Sequence, residues 1–144
     1  MKSLKIWSLI VLFAMALVGC GGKDDNSALV GQWHLTYYAD SAPEFDVYVE
    51  FKESGKFNIY QQVWSFAYEH FTGTYSVKNG VVSGKYSDGS AWLTSYQFSV
   101  DGSKLKMYNK ANTEEVSVYT SCKIPSDVIS EATTTRSEGV VPFL

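Results

Sequence analysis

Ala28-Leu29-Val30-Gly31-Gln32-Trp33-His34-Leu35 places a Gly two residues ahead of a Trp at the head of the first β-run. C-terminal to it runs a train of short alternating segments separated by turn chemistry. The clearest is 45–53, where Phe45, Val47, Val49 and Phe51 alternate with Asp46, Tyr48, Glu50 and Lys52. That period of two puts one apolar and one polar face on a strand. Ser54-Gly55 turns it into a third strand at 56–64, which continues the apolar face through Phe57, Ile59 and Val63.

The same pattern repeats to the end of the domain. Strands are expected at 31–39, 45–53, 56–64, 69–77, 81–87, 92–100, 104–110 and 115–123. Lys78-Asn79-Gly80 is a strong hairpin signal, because Asn-Gly accepts the positive φ angles such turns need. Trp92, Tyr96, Phe98 and Val100 share one face of the sixth strand. Val116, Val118, Thr120 and Cys122 share one face of the eighth. No connection is long enough for a crossover helix, so the sheet is an antiparallel meander. Eight such strands can close into an all-β up-and-down barrel without exposed edges, the expected fold; the alternative, a flat or two-layer sheet, would need longer loops. After it, 124–132 is expected to form one short C-terminal helix, with Pro125 and Asp127 at its start. The last residues, Val140-Val141-Pro142-Phe143-Leu144, are apolar and expected to dock rather than hang free.

The chain of 144 residues carries enough apolar material for one domain with a core, and too little for two. The first nineteen residues stand apart. Lys2 and Lys5 precede an apolar run from Ile6 to Val18, shorter than a bilayer span of roughly 20 residues, which indicates a signal peptide. Its end, Leu17-Val18-Gly19-Cys20, resembles the lipobox of bacterial lipoproteins. The resemblance implies cleavage before Cys20, lipidation of that residue and stable membrane anchoring through palmitate-type acyl chains. Residues 20–28 form a flexible tether, 29–124 the barrel, and 125–144 a helix and tail. Lys23-Asp24-Asp25 resembles the acidic export signal of Bacteroidota lipoproteins, implying an outer-membrane protein displayed at the cell surface. The alternative is the periplasmic leaflet.

Loss of Lys2 and Lys5 leaves fifteen acidic residues against ten basic ones, a net charge of −5. An acidic chain without a basic cluster argues against nucleic acid as a partner. With Cys20 lipidated, Cys122 has no intramolecular mate, so no disulfide is expected, and its strand position suggests a buried small residue.

Gly31-x-Trp33 at the head of the first strand, followed by eight meandering strands and a short helix, resembles the lipocalins, and more closely the lipocalin-like domain lipoproteins of the Bacteroidota. The resemblance covers 29–132. It implies that Trp33 sits at the closed end of the barrel, beneath a basic side chain near the end of the last strand. Lys123 is the candidate, where the family usually carries Arg; the family's usual disulfide is absent.

The turns give an independent polarity. Ser54-Gly55, Lys78-Asn79-Gly80 and Asp101-Gly102-Ser103 lie together at the end where the first strand begins, all tight and polar. The other end holds longer loops, including Ser41-Ala42-Pro43-Glu44 and Trp64-Ser65-Phe66-Ala67-Tyr68. One end is closed and the other open, as a calyx requires. Trp64, Phe66, Tyr68 and Trp92 are expected at the open rim, with Tyr96 and Phe98 lining the interior. Such aromatics can grip an apolar ligand or anchor a protein, or fold inward and plug the barrel.

Nothing in the chain spells out catalysis, a cofactor or a metal site. His34 and His70 lack metal-ligand spacing, and Glu69 and His70, being adjacent, point to opposite faces of a strand. No nucleophile elbow or phosphate loop is present. No enzyme activity is therefore expected; the protein is expected to be a monomer. Two functions remain open: a calyx for a small apolar or amphipathic ligand, or a filled barrel acting as a surface interaction module or enzyme inhibitor.

Overall fold

The computed structural model describes residues 26–132 and 140–144; the leader, Cys20 and the tether as far as Asp25 lie outside the described residues. The strands are β1 (Gly31–Tyr38), β2 (Asp46–Phe51), β3 (Lys56–Gln62), β4 (Glu69–Lys78), β5 (Val81–Tyr86), β6 (Tyr96–Asp101), β7 (Lys104–Asn109) and β8 (Val116–Ser121), followed by helix α1 (Ser126–Glu131). Each strand runs antiparallel to the next and β8 closes onto β1, giving the expected eight-stranded up-and-down barrel. At the β4–β5 turn, Asn79 and Gly80 both take positive φ, 53° and 74°. That is the primed-turn geometry their residue types favour.

The alternation expected in β2 and β3 is realised. Val47, Val49, Phe51, Phe57 and Ile59 are all buried inside the barrel, joined there by Leu105, Met107 and Tyr119. The closed end is sealed from below by the chain leading into β1. Leu29 is fully buried, and its carbonyl accepts the Trp33 indole N–H at 2.8 Å. Asn26 donates to the Tyr75 hydroxyl, which in turn donates to the Lys52 carbonyl in the β2–β3 turn.

Three expectations need correction. The sixth strand begins at Tyr96 rather than at Trp92, and β6 pairs with β5 only through Val81↔Gln97 and Val82↔Tyr96. Beyond that point the loop itself folds back along β5: the Trp92 amide donates to the Gly84 carbonyl at 2.9 Å and the Tyr86 amide to Ser90 at 2.7 Å. The Trp92 indole lies against Gly84, where an added Cβ would sit 2.4 Å from the ring. Alternation alone could not separate a strand from a loop that hydrogen-bonds in its place.

The second correction concerns β8. Its inward residues are Ser117 and Tyr119, while Val116, Val118 and Cys122 are half-buried. Tyr119 pairs with the inward-facing Leu35, and this register decides the face. The third concerns the helix, which is shorter than expected. It covers the outside of the barrel, with Val128 and Ile124 packed against Tyr60, Tyr48 and Tyr68.

The Gly84–Trp92 contact gives a double-mutant prediction. Gly84→Ala should destabilise by about 1–3 kcal/mol through overpacking against the indole. In a Trp92→Leu background the same change should cost measurably less, because the obstructing ring is gone. Urea unfolding of the four proteins measures the coupling; strict additivity would mean that the contact does not limit packing.

Candidate functional site

The open end is built by loops 39–45, 63–68, 87–95 and 110–115 together with the segment 140–144. Between them lies an apolar cleft of about 340 Å³, lined by Tyr38, Phe45, Val63, Trp64, Leu93, Val141, Pro142 and Phe143. Phe66 is fully exposed and Trp64 is 72% exposed, so the 63–68 loop presents bare aromatic surface beside the opening. A second, shallower and more polar groove of about 550 Å³ runs between loops 43–46 and 62–66, with Phe66 on its wall.

The other predicted site residues take different places. Trp92 is buried deep in the barrel, edge-on to Phe57 at 5.2 Å and to Phe51 at 6.5 Å, and is not at the rim. Tyr96 is buried and Phe98 half-buried, both against the interior cluster. Tyr68 turns to the outer wall, where its hydroxyl donates to Asp46. Trp33 lies at the closed end, and Lys123 is exposed just beyond β8.

The segment 140–144 enters the mouth. Leu144 is 1% exposed and belongs to the barrel core. Phe143 packs edge-on against Tyr38 at 5.4 Å and lies 5.6 Å from Phe45. Gln61, fully buried on the inward face of β3, fastens the segment from both ends of its side-chain amide. Nε2 donates to the Val141 carbonyl at 3.1 Å, and Oε1 accepts from the Phe143 amide at 2.8 Å. The Tyr86 hydroxyl donates to a main-chain oxygen of Leu144. Sequence reasoning singled out neither Gln61 nor this pairing, although Gln61 shares the parity of Phe57, Ile59 and Val63. A polar residue on an otherwise apolar face was the available signal.

The phenols of the mouth and the interior are held protonated. Burial, then a hydrogen bond and charge from Glu115, push Tyr38 up to about 12. Burial is also the first cause of the upward shifts at Tyr96 and Tyr119. All three therefore stay neutral hydroxyls, Tyr38 at the half-buried mouth and Tyr96 and Tyr119 inside the barrel. Glu69 Oε2 and Trp92 Nε1 are buried without a hydrogen-bond partner among the described residues.

The histidines sit on the outer wall. His34 stacks on Tyr48 at 4.4 Å and its Nε2 meets Asp46 Oδ1 at 2.5 Å. His70 stacks on Tyr60 at 4.6 Å, bonds Asn58 at 2.7 Å, and is shifted toward its neutral form by burial. Burial and the charge of Asp46 push the Cys122 thiol up, away from the reactive thiolate. Among the described residues no group of three or more His, Cys, Asp or Glu could hold a metal.

A closed antiparallel barrel, sealed at one end and carrying an apolar cleft at the other, is the architecture of a ligand-binding type of domain. The chain belongs to the lipocalin-like domain family, whose model matches residues 29–107. The crystal structure of a lipocalin-like protein from Bacteroides uniformis ATCC 8492 is similar at a TM-score of 0.52 and 17% identity, over 66% of this chain and 99% of that one. At that identity the likeness is one of fold. A search of the curated proteins finds no match.

Proposed function

We propose that this protein is a membrane-anchored lipocalin-like lipoprotein that captures a small apolar or amphipathic ligand at the open end of its barrel. The observation that carries this reading is the apolar cleft of about 340 Å³ beside the exposed Trp64. Its volume falls within the about 300–1,000 Å³ typical of small-molecule sites. An aromatic left bare at such an opening gains area on ligand binding without a large ordering cost. The lipobox-like Cys20 would hold the domain at the outer membrane, and the acidic tether favours surface display.

Titration of intrinsic fluorescence with fatty acids, sterols and bile-acid-like compounds, with native mass spectrometry for stoichiometry, tests the reading. Trp64→Ala should weaken binding about tenfold, as removal of a central aromatic anchor does. No binding by any of these compounds, with an unchanged response in Trp64→Ala, would remove the small-molecule calyx. Cys20→Ser should release the protein from membranes, and protease shaving of intact cells should cut the domain if it is displayed.

The filled interior favours a second reading, an interaction module or enzyme inhibitor using the exposed Trp64, Phe66 and Leu93. Below the mouth Phe51, Phe57, Tyr119 and Leu144 are each fully buried, so a ligand goes deeper only by displacing Val140–Leu144.

A further inference from the structure

We infer that the mouth is a peptide-recognition site, self-occupied by Val140–Leu144, whose ligand is an extended apolar peptide segment of another protein. This rests on the reading of the open end as the binding site and assigns it a peptide rather than a small molecule. Gln61 is the residue that points to a peptide. A primary amide 1% exposed inside an apolar barrel needs both its donor and its acceptor satisfied. Both of its bonds go to main-chain groups two residues apart, the Val141 carbonyl and the Phe143 amide. Carbonyl and N–H groups at that spacing point the same way in an extended chain, as on one edge of a strand. The Tyr86 hydroxyl donates to a third main-chain group, an oxygen of Leu144.

The apolar contacts add side-chain selection. Leu144 fills a site in the barrel core, and Phe143 takes the aromatic notch between Tyr38 and Phe45. A hydrocarbon chain could fill the same volume, but offers no partner to either end of the buried Gln61 amide. That loss penalises it against a peptide by about tenfold or more. A second, independent feature points the same way. Glu69, the register partner of Gln61 and equally inward-facing, has a buried carboxylate oxygen with no donor among the described residues. A bound segment richer in N–H groups than one containing Pro142 can supply it.

The test uses the full chain with Leu144→Asp, which places a charge in the core and expels the native occupant. A fluorescently labelled peptide of sequence Val-Val-Pro-Phe-Leu should bind this variant at least tenfold more tightly than it binds the parent. Adding Gln61→Leu to that variant should weaken the peptide at least tenfold and leave palmitate binding equal or stronger. If palmitate binds the opened variant and the peptide does not, the peptide inference falls while the calyx stands. If neither binds, the peptide inference falls, and the small-molecule reading is decided by the ligand titrations of the parent, whose cleft keeps Val141, Pro142 and Phe143 in its wall. If Leu144→Asp unfolds the barrel by circular dichroism, the parent protein is titrated with millimolar peptide while the Gln61 side-chain NH2 resonances are followed by NMR. Saturable shifts there support the inference, and their absence overturns it.

Discussion

Gly73→Ala is expected to unfold the barrel or destabilise it by about 3 kcal/mol or more, the upper end of overpacking effects. Gly73 faces inward on β4, paired with Phe57 of β3 on one side and Tyr86 of β5 on the other. A Cβ built there would lie 1.9 Å from the Lys85 carbonyl oxygen and 2.8 Å from the Tyr86 Cα. These are backbone atoms, so no rotamer change makes room. Relief requires β5 to retreat by about an ångström in a close-packed interior. β5 is also the strand with the fewest pairs to its other neighbour, β6. Pushing it outward therefore strains the weakest seam of the barrel. Thr74→Ala, one residue along and exposed, should stay within about 0.5 kcal/mol. Urea denaturation of the two variants is the measurement. Near-parental stability for Gly73→Ala would mean that β4 and β5 do not approach as closely as described.

Phe57→Ala should cost about 3–5 kcal/mol, as large-to-small changes at fully buried aromatics do. The ring is fully buried and meets Tyr86 and Trp92 edge-on at 5.6 and 5.2 Å. Those neighbours are themselves anchored, Tyr86 by its bond to Leu144 and Trp92 by its fit to Gly84. They cannot collapse freely into the space, so most of the cavity cost remains. Phe66→Ala removes the same side chain from a fully exposed position and should leave stability within about 0.5 kcal/mol. Its effect belongs to binding. Thermal and chemical denaturation of the pair separates an aromatic that holds the fold from one available to a ligand. Equal losses for both would contradict the assignment of Phe57 to the interior and Phe66 to the rim.

The barrel itself was legible because its signals are local. Alternation in 45–53 and 56–64 fixes which face is buried, Asn79-Gly80 fixes a hairpin, and the short connections exclude parallel crossovers. Polarity was legible too, since loop lengths alternate between tight and long around the barrel. The candidate site was only partly legible. Trp64 and Phe66 lie at the rim, as the place of their loop at the end opposite the tight turns suggested. Trp92 and Tyr68 do not: Trp92 is drawn inward by the space that Gly84 leaves, and Tyr68 is drawn to the outer wall by Asp46.

Those misplacements share a cause with the Gln61 clasp. Each depends on a contact between residues distant in the chain, such as Gln61 with Phe143 or Tyr68 with Asp46, and no periodicity records such pairs. Period-two alternation decides a strand's two faces only when one of them is clearly apolar, and in 116–122 both parities carry buried or half-buried residues. What the chain determined alone was therefore the class of fold, its strand order and its closed and open ends, all consequences of local backbone chemistry. What only the tertiary structure decided was which side of β8 faces inward and that Val140–Leu144 fills the mouth, because register and long-range packing set both.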